Sequence, residues 1–215
     1  LLYLITDRRT FIRKPELAAA AAPLQLEAIR KAAQSGCQFI QIREKDLTAQ
    51  SLGEFTRAAI SVARPRGARV LVNDRLDVAL AMGADGVHLR VSSIPAHEVR
   101  AIAKSKSLDT FLIGVSTHSI AEAKAAEDGG ADFIVCGPVY GTPSKLPYGA
   151  PLGLARFAEI CEAVKIPVLA LGGINLSNYR EPLRRGASGV AAISLFADPD
   201  QIEQNIQTIL NSWLP

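Results

Sequence analysis

The stretch Gln38-Phe39-Ile40-Gln41-Ile42-Arg43-Glu44-Lys45 enters as an apolar run and leaves in long charged side chains. On a strand, side chains alternate with a period of two. Gln41, Arg43 and Lys45 therefore share one side, with Ile40 and Ile42 on the other. An apolar strand that delivers cations at its carboxyl end is how a parallel barrel presents binding groups at its mouth. The same pattern also suits a strand that simply ends in solvated charges. What the other strand ends carry decides between the two.

Outward from this stretch, apolar runs alternate with helical segments along the whole chain. Strands are expected over 2–6, 37–43, 69–72, 86–89, 110–114, 132–136, 167–170 and 189–193. Helices are expected over 24–34, 48–63, 76–82, 95–104, 118–128, 153–163, 177–184 and 199–212. Strict strand–helix alternation argues for a single-domain α/β fold, a (β/α)8 TIM barrel over residues 1–215, rather than an open doubly wound sheet. An internal echo supports a barrel of repeated units. Ser35-Gly36-Cys37, Met82-Gly83-Ala84-Asp85, Gly130-Ala131-Asp132 and Arg185-Gly186-Ala187-Ser188 each close a helix and launch an even-numbered strand. Glycine there supplies a left-handed helix cap.

The bulk composition is consistent with this. A chain of 215 residues with 48% hydrophobic content can bury one sizeable core. It has no run of about 18 apolar residues, so no membrane span is expected; the Ala18–Ala22 run is short and meets Pro23. The net charge is only +3 and no basic-aromatic stripe exists, which argues against a nucleic-acid partner. Cys37, Cys136 and Cys161 are odd in number and lack metal-ligand spacing. They read as small buried hydrophobes in a reducing compartment, and the protein as cytoplasmic.

Barrel active groups sit at the carboxyl ends of the strands. Here those ends offer Asp7, Gln41, Arg43, Lys45, Asn73, Asp74, His88, Arg90, Ser116, Thr142, Ser144, Lys145, Gly172, Gly173, Ile193 and Ser194. Cations, carboxylates, hydroxyls and a bare backbone turn together suit a phosphorylated substrate and a metal. Gly172-Gly173 and the Ile193-Ser194 end follow strands seven and eight, where barrels frequently bind phosphate; Gly-Gly also serves as a plain tight turn. Asn73-Asp74 reads equally as a turn and helix cap. The long loop over 137–152 is not a Walker loop, because the Gly-x4-Gly-Lys-Ser/Thr order is absent. His88 reads as a packed, hydrogen-bonded core residue and His97 as a solvated one. His118 opens the helix after strand five, either as helix-start packing or within reach of the mouth.

In order along nearly the whole chain, these motifs resemble the superfamily of the thiamine phosphate synthases and the related thiazole tautomerases. The resemblance rests on Tyr3-Leu4-Ile5-Thr6-Asp7, Gln41-Ile42-Arg43-Glu44-Lys45, Val72-Asn73-Asp74-Arg75, Gly83-Ala84-Asp85-Gly86-Val87-His88-Leu89 and Gly114-Val115-Ser116. It continues through Gly137-Pro138-Val139-Tyr140, Thr142-Pro143-Ser144-Lys145 and Leu171-Gly172-Gly173-Ile174. It implies a Mg²⁺-dependent transferase that joins hydroxymethylpyrimidine diphosphate to a thiazole phosphate and releases diphosphate. By the same resemblance, Gln41, Arg43 and Lys45 hold the pyrimidine diphosphate, Asn73 and Lys145 its phosphates, and Ser116 the pyrimidine pocket. Thr142 and Ser144 surround the thiazole substrate, and Gly173, Ile193 and Ser194 cradle its phosphate. Asp74 is the implied magnesium ligand, with Lys145, Arg43 and Ser116 the implied catalytic groups.

Two positions depart from the family pattern. Ser93 stands where the synthases carry a second metal aspartate, and Pro138 where the tautomerases carry their histidine. Mg²⁺ is commonly held by one or two carboxylates plus substrate phosphates, so the first loss is survivable. Proline cannot move a proton, so the second removes a tautomerase's means of catalysis. The synthase is therefore favoured over a tautomerase and over a catalytically silent relative that binds a thiamine precursor. The expected partners are small phosphorylated substrates, with neither nucleic acid nor membrane; a homo-oligomer stays open.

Overall fold

The computed structural model describes residues 1–12, 19–141 and 150–212. Its strands are β1 (Leu2–Ile5), β2 (Phe39–Ile42), β3 (Arg69–Asn73), β4 (Gly86–Leu89), β5 (Leu112–Thr117), β6 (Phe133–Cys136), β7 (Val168–Leu171) and β8 (Gly189–Ala192). They follow chain order around a closed barrel, as the alternation predicts. The helices among the described residues are α1 (Arg9–Ile12), α2 (Ala21–Gln34), α3 (Ala49–Ala63), α4 (Leu76–Met82) and α5 (Ala96–Ser105). After them come α6 (Ile120–Asp128), α7 (Gly153–Ala163), α8 (Arg180–Arg184) and α9 (Ile202–Asn211). None is long and apolar enough to cross a membrane.

By their contacts the residues fall into two compact units. One holds residues 2–85 and 192–215. In it β1, β2 and β3 pair in parallel, with Tyr3 opposite Phe39 and Gln41 opposite Leu71. Leu4, Ile40, Val70 and Val72 are fully buried, as near-continuous apolar strands of a helix-covered parallel sheet require. The helices α2, α3 and α4 pack in succession, and α9 lies against α2. The second unit holds Gly86–Ala191 and Leu1. There β4 to β8 pair in parallel, with His88 opposite Gly114 and Ser116 opposite Val135, around buried Val87, Ile113, Ile134 and Leu169.

The glycine echo has a common geometry. Gly36, Gly83, Gly130 and Gly186 have φ of 97, 65, 80 and 96°. The amide of the residue after each glycine bonds five residues back: Cys37 to Ala32, Ala84 to Ala79, Ala131 to Ala126 and Ala187 to Pro182. This is the Schellman closure, which satisfies a helix's last carbonyls. Where the next residue is aspartate, it grips the preceding strand twice. The Asp85 amide donates to the Val70 carbonyl and its carboxylate accepts the Val70 amide, each at 2.8 Å. Asp132 does the same to Ile113, at 2.8 and 2.6 Å.

Some boundaries differ from expectation. Strand five runs over Leu112–Thr117, not 110–114, because the Phe111 amide closes a turn onto Leu108 and Gly114–Thr117 complete a ladder with Phe133–Cys136. Ser116 thus lies inside a strand. Strand two begins at Phe39 instead of residue 37, and strand eight ends at Ala192. The helix expected from residue 24 starts at Ala21; Pro23 is tolerated because the first turn has no intrahelical partner for its missing N–H. Helix α8 covers only Arg180–Arg184, since asparagine side-chain turns occupy the residues before it. The last helix is Ile202–Asn211, within the expected 199–212. Helix α1 carries no apolar period long enough to read in advance.

Candidate active site

The strand ends of the first unit begin with β2. Gln41 is buried, and its amide donates to the Tyr3 hydroxyl at 3.1 Å. Burial pushes the Tyr3 phenol well above its ordinary range, so it stays a neutral partner. Past the strand, the Arg43 amide donates to Thr6 Oγ1 at 2.9 Å, and its guanidinium lies 3.9 Å from the Asp7 carboxylate. Lys45 is exposed one turn further on. Asp7 is held chiefly by Arg9, which donates to it through Nε at 2.7 Å and Nη2 at 2.9 Å. Burial raises the Asp7 pKa, but the Arg9 hydrogen bonds and the Arg9 and Arg43 charges outweigh it and leave the carboxyl below its usual range.

Asn73 is the last residue of β3, and Asp74 follows at φ 64°. The Arg75 amide donates across it to the Asn73 carbonyl at 2.7 Å. This is the tight three-residue turn that an L-residue enters only at a cost of about 1–3 kcal/mol. The turn reading of Asn73-Asp74 is what forms. The cap reading does not, because Arg75 occupies the cap position of α4 and no side chain caps it. Ile193 and Ser194 follow β8, and Ser194 opens a single 3₁₀ turn, Ser194–Phe196. Asn205 Nδ2 donates to the Leu195 carbonyl at 2.9 Å and ties this turn to α9.

In the second unit, Ser116 Oγ lies 2.9 Å from Nε2 of buried His88. Gly114 makes room for that ring: a Cβ there would fall 2.8 Å from His88 Nδ1 and 2.5 Å from Phe133. His88 is the packed, hydrogen-bonded residue expected, yet it is bonded to a site hydroxyl. Gly172 and Gly173 have φ of 98 and 68°. A Cβ on Gly172 would lie 2.6 Å from Pro138, and one on Gly173 2.7 Å from Tyr140. The loop after β6 is laced onto this turn by Val139 N–H to Leu171 O at 2.8 Å and Tyr140 N–H to Gly172 O at 3.0 Å. Asn178 and Asn175 amides hold the Gly173 carbonyl at 2.9 and 3.3 Å. The glycines are therefore a tight turn in fact, with a carbonyl fixed by two side chains. His118 bonds through Nδ1 to the Gly137 carbonyl, and its amide donates to Glu122 at 2.6 Å, which is the helix-start role. His97 is solvated and lies 3.5 Å from Glu98. Thr142, Ser144 and Lys145 lie outside the described residues.

The cysteines are free; Cys37 and Cys136 are buried fillers and Cys161 is half-buried, and burial pushes all three thiols up to about 12. Among the described residues no group of three or more His, Cys, Asp or Glu side chains can hold a metal. Ser93 Oγ instead accepts the Arg90 amide at 2.8 Å and closes the turn after β4.

Sequence reasoning passed over Glu44. It is 5% exposed, it accepts the Arg8 amide through both oxygens at 3.2 and 3.1 Å, and it accepts the Thr6 hydroxyl. Burial pushes its carboxyl above the usual range, against these hydrogen bonds. One signal was available: Glu44 falls in phase with Ile40 and Ile42, a carboxylate on the apolar side of its strand.

A (β/α)8 barrel with cations, a strained aspartate, a strand-borne hydroxyl and paired glycines at its strand ends has the make-up of a barrel enzyme. The profile of the thiamine monophosphate synthase family matches residues 2–196, and the chain belongs to that family. It is 46% identical over 204 residues to a Geobacter sulfurreducens protein provisionally named for this activity, covering 94% of this chain and 90% of the relative. It is 38% identical over 217 residues to a thiamine-phosphate synthase of a Roseiflexus species, covering 100% of this chain and 86% of the relative. Among solved structures it is similar to a thiamine phosphate pyrophosphorylase from Pyrococcus furiosus. That match has a TM-score of 0.82 and 35% identity over 100% of this chain and 96% of that one.

Proposed function

We propose that the protein is a thiamine phosphate synthase: it transfers the pyrimidine methylene of hydroxymethylpyrimidine diphosphate to a thiazole phosphate and releases diphosphate. The observation that carries this reading is near-full-length similarity to relatives named for that activity. Pro138 supports it, since a tautomerase needs a proton-transfer group where this chain has a ring without one.

In this reading the carbon–oxygen bond to diphosphate breaks and leaves a cation at the pyrimidine methylene. The thiazole nitrogen then closes a carbon–nitrogen bond to it. The protein's task is to stabilise the charge that develops on the departing diphosphate. Arg43, Lys45 and Lys145 supply cations for it, with Gln41 and Asn73 as neutral donors. Ser116, its hydroxyl set by His88, faces the pyrimidine. Gly173, Ile193 and Ser194 bind the thiazole phosphate, and Thr142 and Ser144 border that substrate.

Mg²⁺ fits the donor set in one mode. Asp74 offers a hard carboxylate on a fixed turn, and the remaining ligands come from diphosphate and water, as Mg²⁺ prefers. Bound there, the ion would neutralise diphosphate charge. The experiment is a single assay of thiamine phosphate formed from the two substrates, run across a Mg²⁺ titration with a chelator control and with Asp74→Asn. Product that depends on Mg²⁺ and falls in Asp74→Asn is the expected result. Turnover that is indifferent to chelation removes the metal from the proposal, and no product at any Mg²⁺ level removes the synthase.

A further inference from the structure

Glu44 is a fully enclosed carboxylate that the reaction outlined above does not use. Its contacts all lead to the groups around Arg43. The Thr6 hydroxyl can donate only one proton, and Glu44 takes it. The lone pairs of Thr6 Oγ1 are thereby left to accept the Arg43 amide at 2.9 Å. Thr6 is itself fully buried and its backbone is held, its amide on the Gln41 carbonyl at 2.9 Å, so water does not compete for its hydroxyl. On its other side Glu44 fixes the Arg8 amide with both oxygens and faces the Arg8 guanidinium at 3.7 Å. That closes the turn carrying Asp7, whose carboxylate flanks the Arg43 guanidinium. One acid thus holds the backbone of Arg43 through Thr6 and the counter-charge of Arg43 through Arg8.

We infer that Glu44 is a positioning residue, which sets Arg43 for the diphosphate through the Thr6 hydroxyl. The inference rests on the reading of Arg43 as a diphosphate-binding cation. A glutamine at this position removes the negative charge and replaces one of the two acceptor oxygens, both of which face the Arg8 amide, with an NH2 donor. Donor then faces donor on one side of the group, the contacts to Arg8 and Thr6 weaken, and Arg43 loses its placement while keeping its charge.

The test compares the wild type, Glu44→Gln, Thr6→Val, Thr6→Ser and the Glu44→Gln/Thr6→Val double variant. Each is measured for the dissociation constant of inorganic diphosphate with Mg²⁺, for KM and kcat, and for hydrogen exchange at the Arg43 amide. Glu44→Gln and Thr6→Val should each weaken diphosphate binding and raise the pyrimidine KM about tenfold, the size of one lost charge-assisted hydrogen bond. Their kcat should change less. Thr6→Ser, which keeps the hydroxyl, should bind like the wild type. The double variant should be no worse than the weaker-binding single, because both changes cut one relay. Exchange at Arg43 should accelerate while the amides of Ile40 and Ile42 stay protected. Unchanged diphosphate affinity in Glu44→Gln overturns the inference. So do additive losses in the double variant, or exchange that rises equally throughout β2. If Glu44→Gln fails to fold, the Thr6→Val and Thr6→Ser pair decides. Wild-type turnover is scored separately: no thiamine phosphate, with diphosphate binding still dependent on Glu44, removes the synthase reading and leaves this one.

Discussion

At the amino ends of the strands the same device recurs. A left-handed glycine ends the helix, a five-residue-back hydrogen bond seals it, and at Asp85 and Asp132 a carboxylate grips the preceding strand. At the carboxyl ends each strand finishes differently. Beyond β2 lies a buried acid with a hydroxyl relay, and beyond β3 an aspartate at φ 64°. The end of β5 presents a serine bonded to a histidine, and that of β7 two glycines laced to a neighbouring loop. Repetition marks the end whose task is only to be stable; variety marks the end where groups are placed for chemistry. The amino ends also use groups that satisfy one another locally, whereas the carboxyl ends hold residues in costly states, which is where functional strain is expected.

That comparison can be broken by exchanging what each end is asked to do. The largest effect is expected from Lys145→Ala on the loop after β6. If Lys145 supplies charge to the departing diphosphate as proposed, removing it should lower turnover at least about a hundredfold while the thermal midpoint stays put. A normal rate at saturating substrate would take this loop out of the chemistry. Next comes Asp132→Ala at an amino end, which leaves the Ile113 amide and the Arg100 guanidinium without the carboxylate they share at 2.6 and 2.7 Å. It should cost about 1–3 kcal/mol in denaturant unfolding and leave KM unchanged. A shifted KM without lost stability would show that the amino end is not merely structural.

A pair of glycines sharpens the contrast at nearly equal φ. Gly83 and Gly173 have φ of 65 and 68°, so alanine meets the same left-handed penalty at both, about 1–2 kcal/mol. At Gly83 an added Cβ meets nothing within 4 Å, while at Gly173 it meets the Tyr140 Cβ at 2.7 Å. Gly83→Ala should therefore cost only the backbone term. Gly173→Ala should cost more and also raise the KM of the thiazole phosphate, read from unfolding curves and initial rates. Equal costs would mean that the lacing of Tyr140 onto the turn is soft.

The amino ends were legible in the sequence because their signals are local. A glycine after a helical period, then a small residue and an aspartate, states its geometry within four positions. The fold was legible for the same reason, since apolar runs and periods add up along the chain. Carboxyl-end identities were legible as residue types, through Arg43, Asp74 and Gly172-Gly173, but their arrangement was not. The partners that give Ser116 its histidine and Arg43 its threonine lie 28 and 37 residues away. Ser116 falls beyond the expected strand 110–114, because the pairing of β5 with β6, not its own composition, extends the strand. Glu44 was passed over because a charged residue at a strand end normally signals solvent, and its burial is decided by Thr6 and the turn at Arg8.

The smallest effect separates two carboxylates whose pKa values shift in opposite directions, Asp7 after β1 and Glu44 after β2. Asp7 is held below its ordinary 3.8, because Arg9 and Arg43 outweigh its burial. Its pairing therefore stabilises the fold fully above the unfolded pKa, and that contribution is lost as pH falls through the lower folded value. Glu44 is raised above its ordinary 4.5 by burial, so folding disfavours its charged form relative to the unfolded chain. Its linkage runs the other way: the stabilisation is complete below the unfolded pKa and is lost as pH rises through the folded value. Urea unfolding from about pH 3 to pH 7 should show both. Asp7→Asn should flatten the fall in stability on the acid side, and Glu44→Gln should flatten the decline on the rising side. At neutral pH Glu44→Gln should then be at least as stable as the wild type relative to its own acid-side value, even as it binds diphosphate more weakly. A decline on the rising side that persists unchanged in Glu44→Gln would show that another group, not Glu44, carries this linkage.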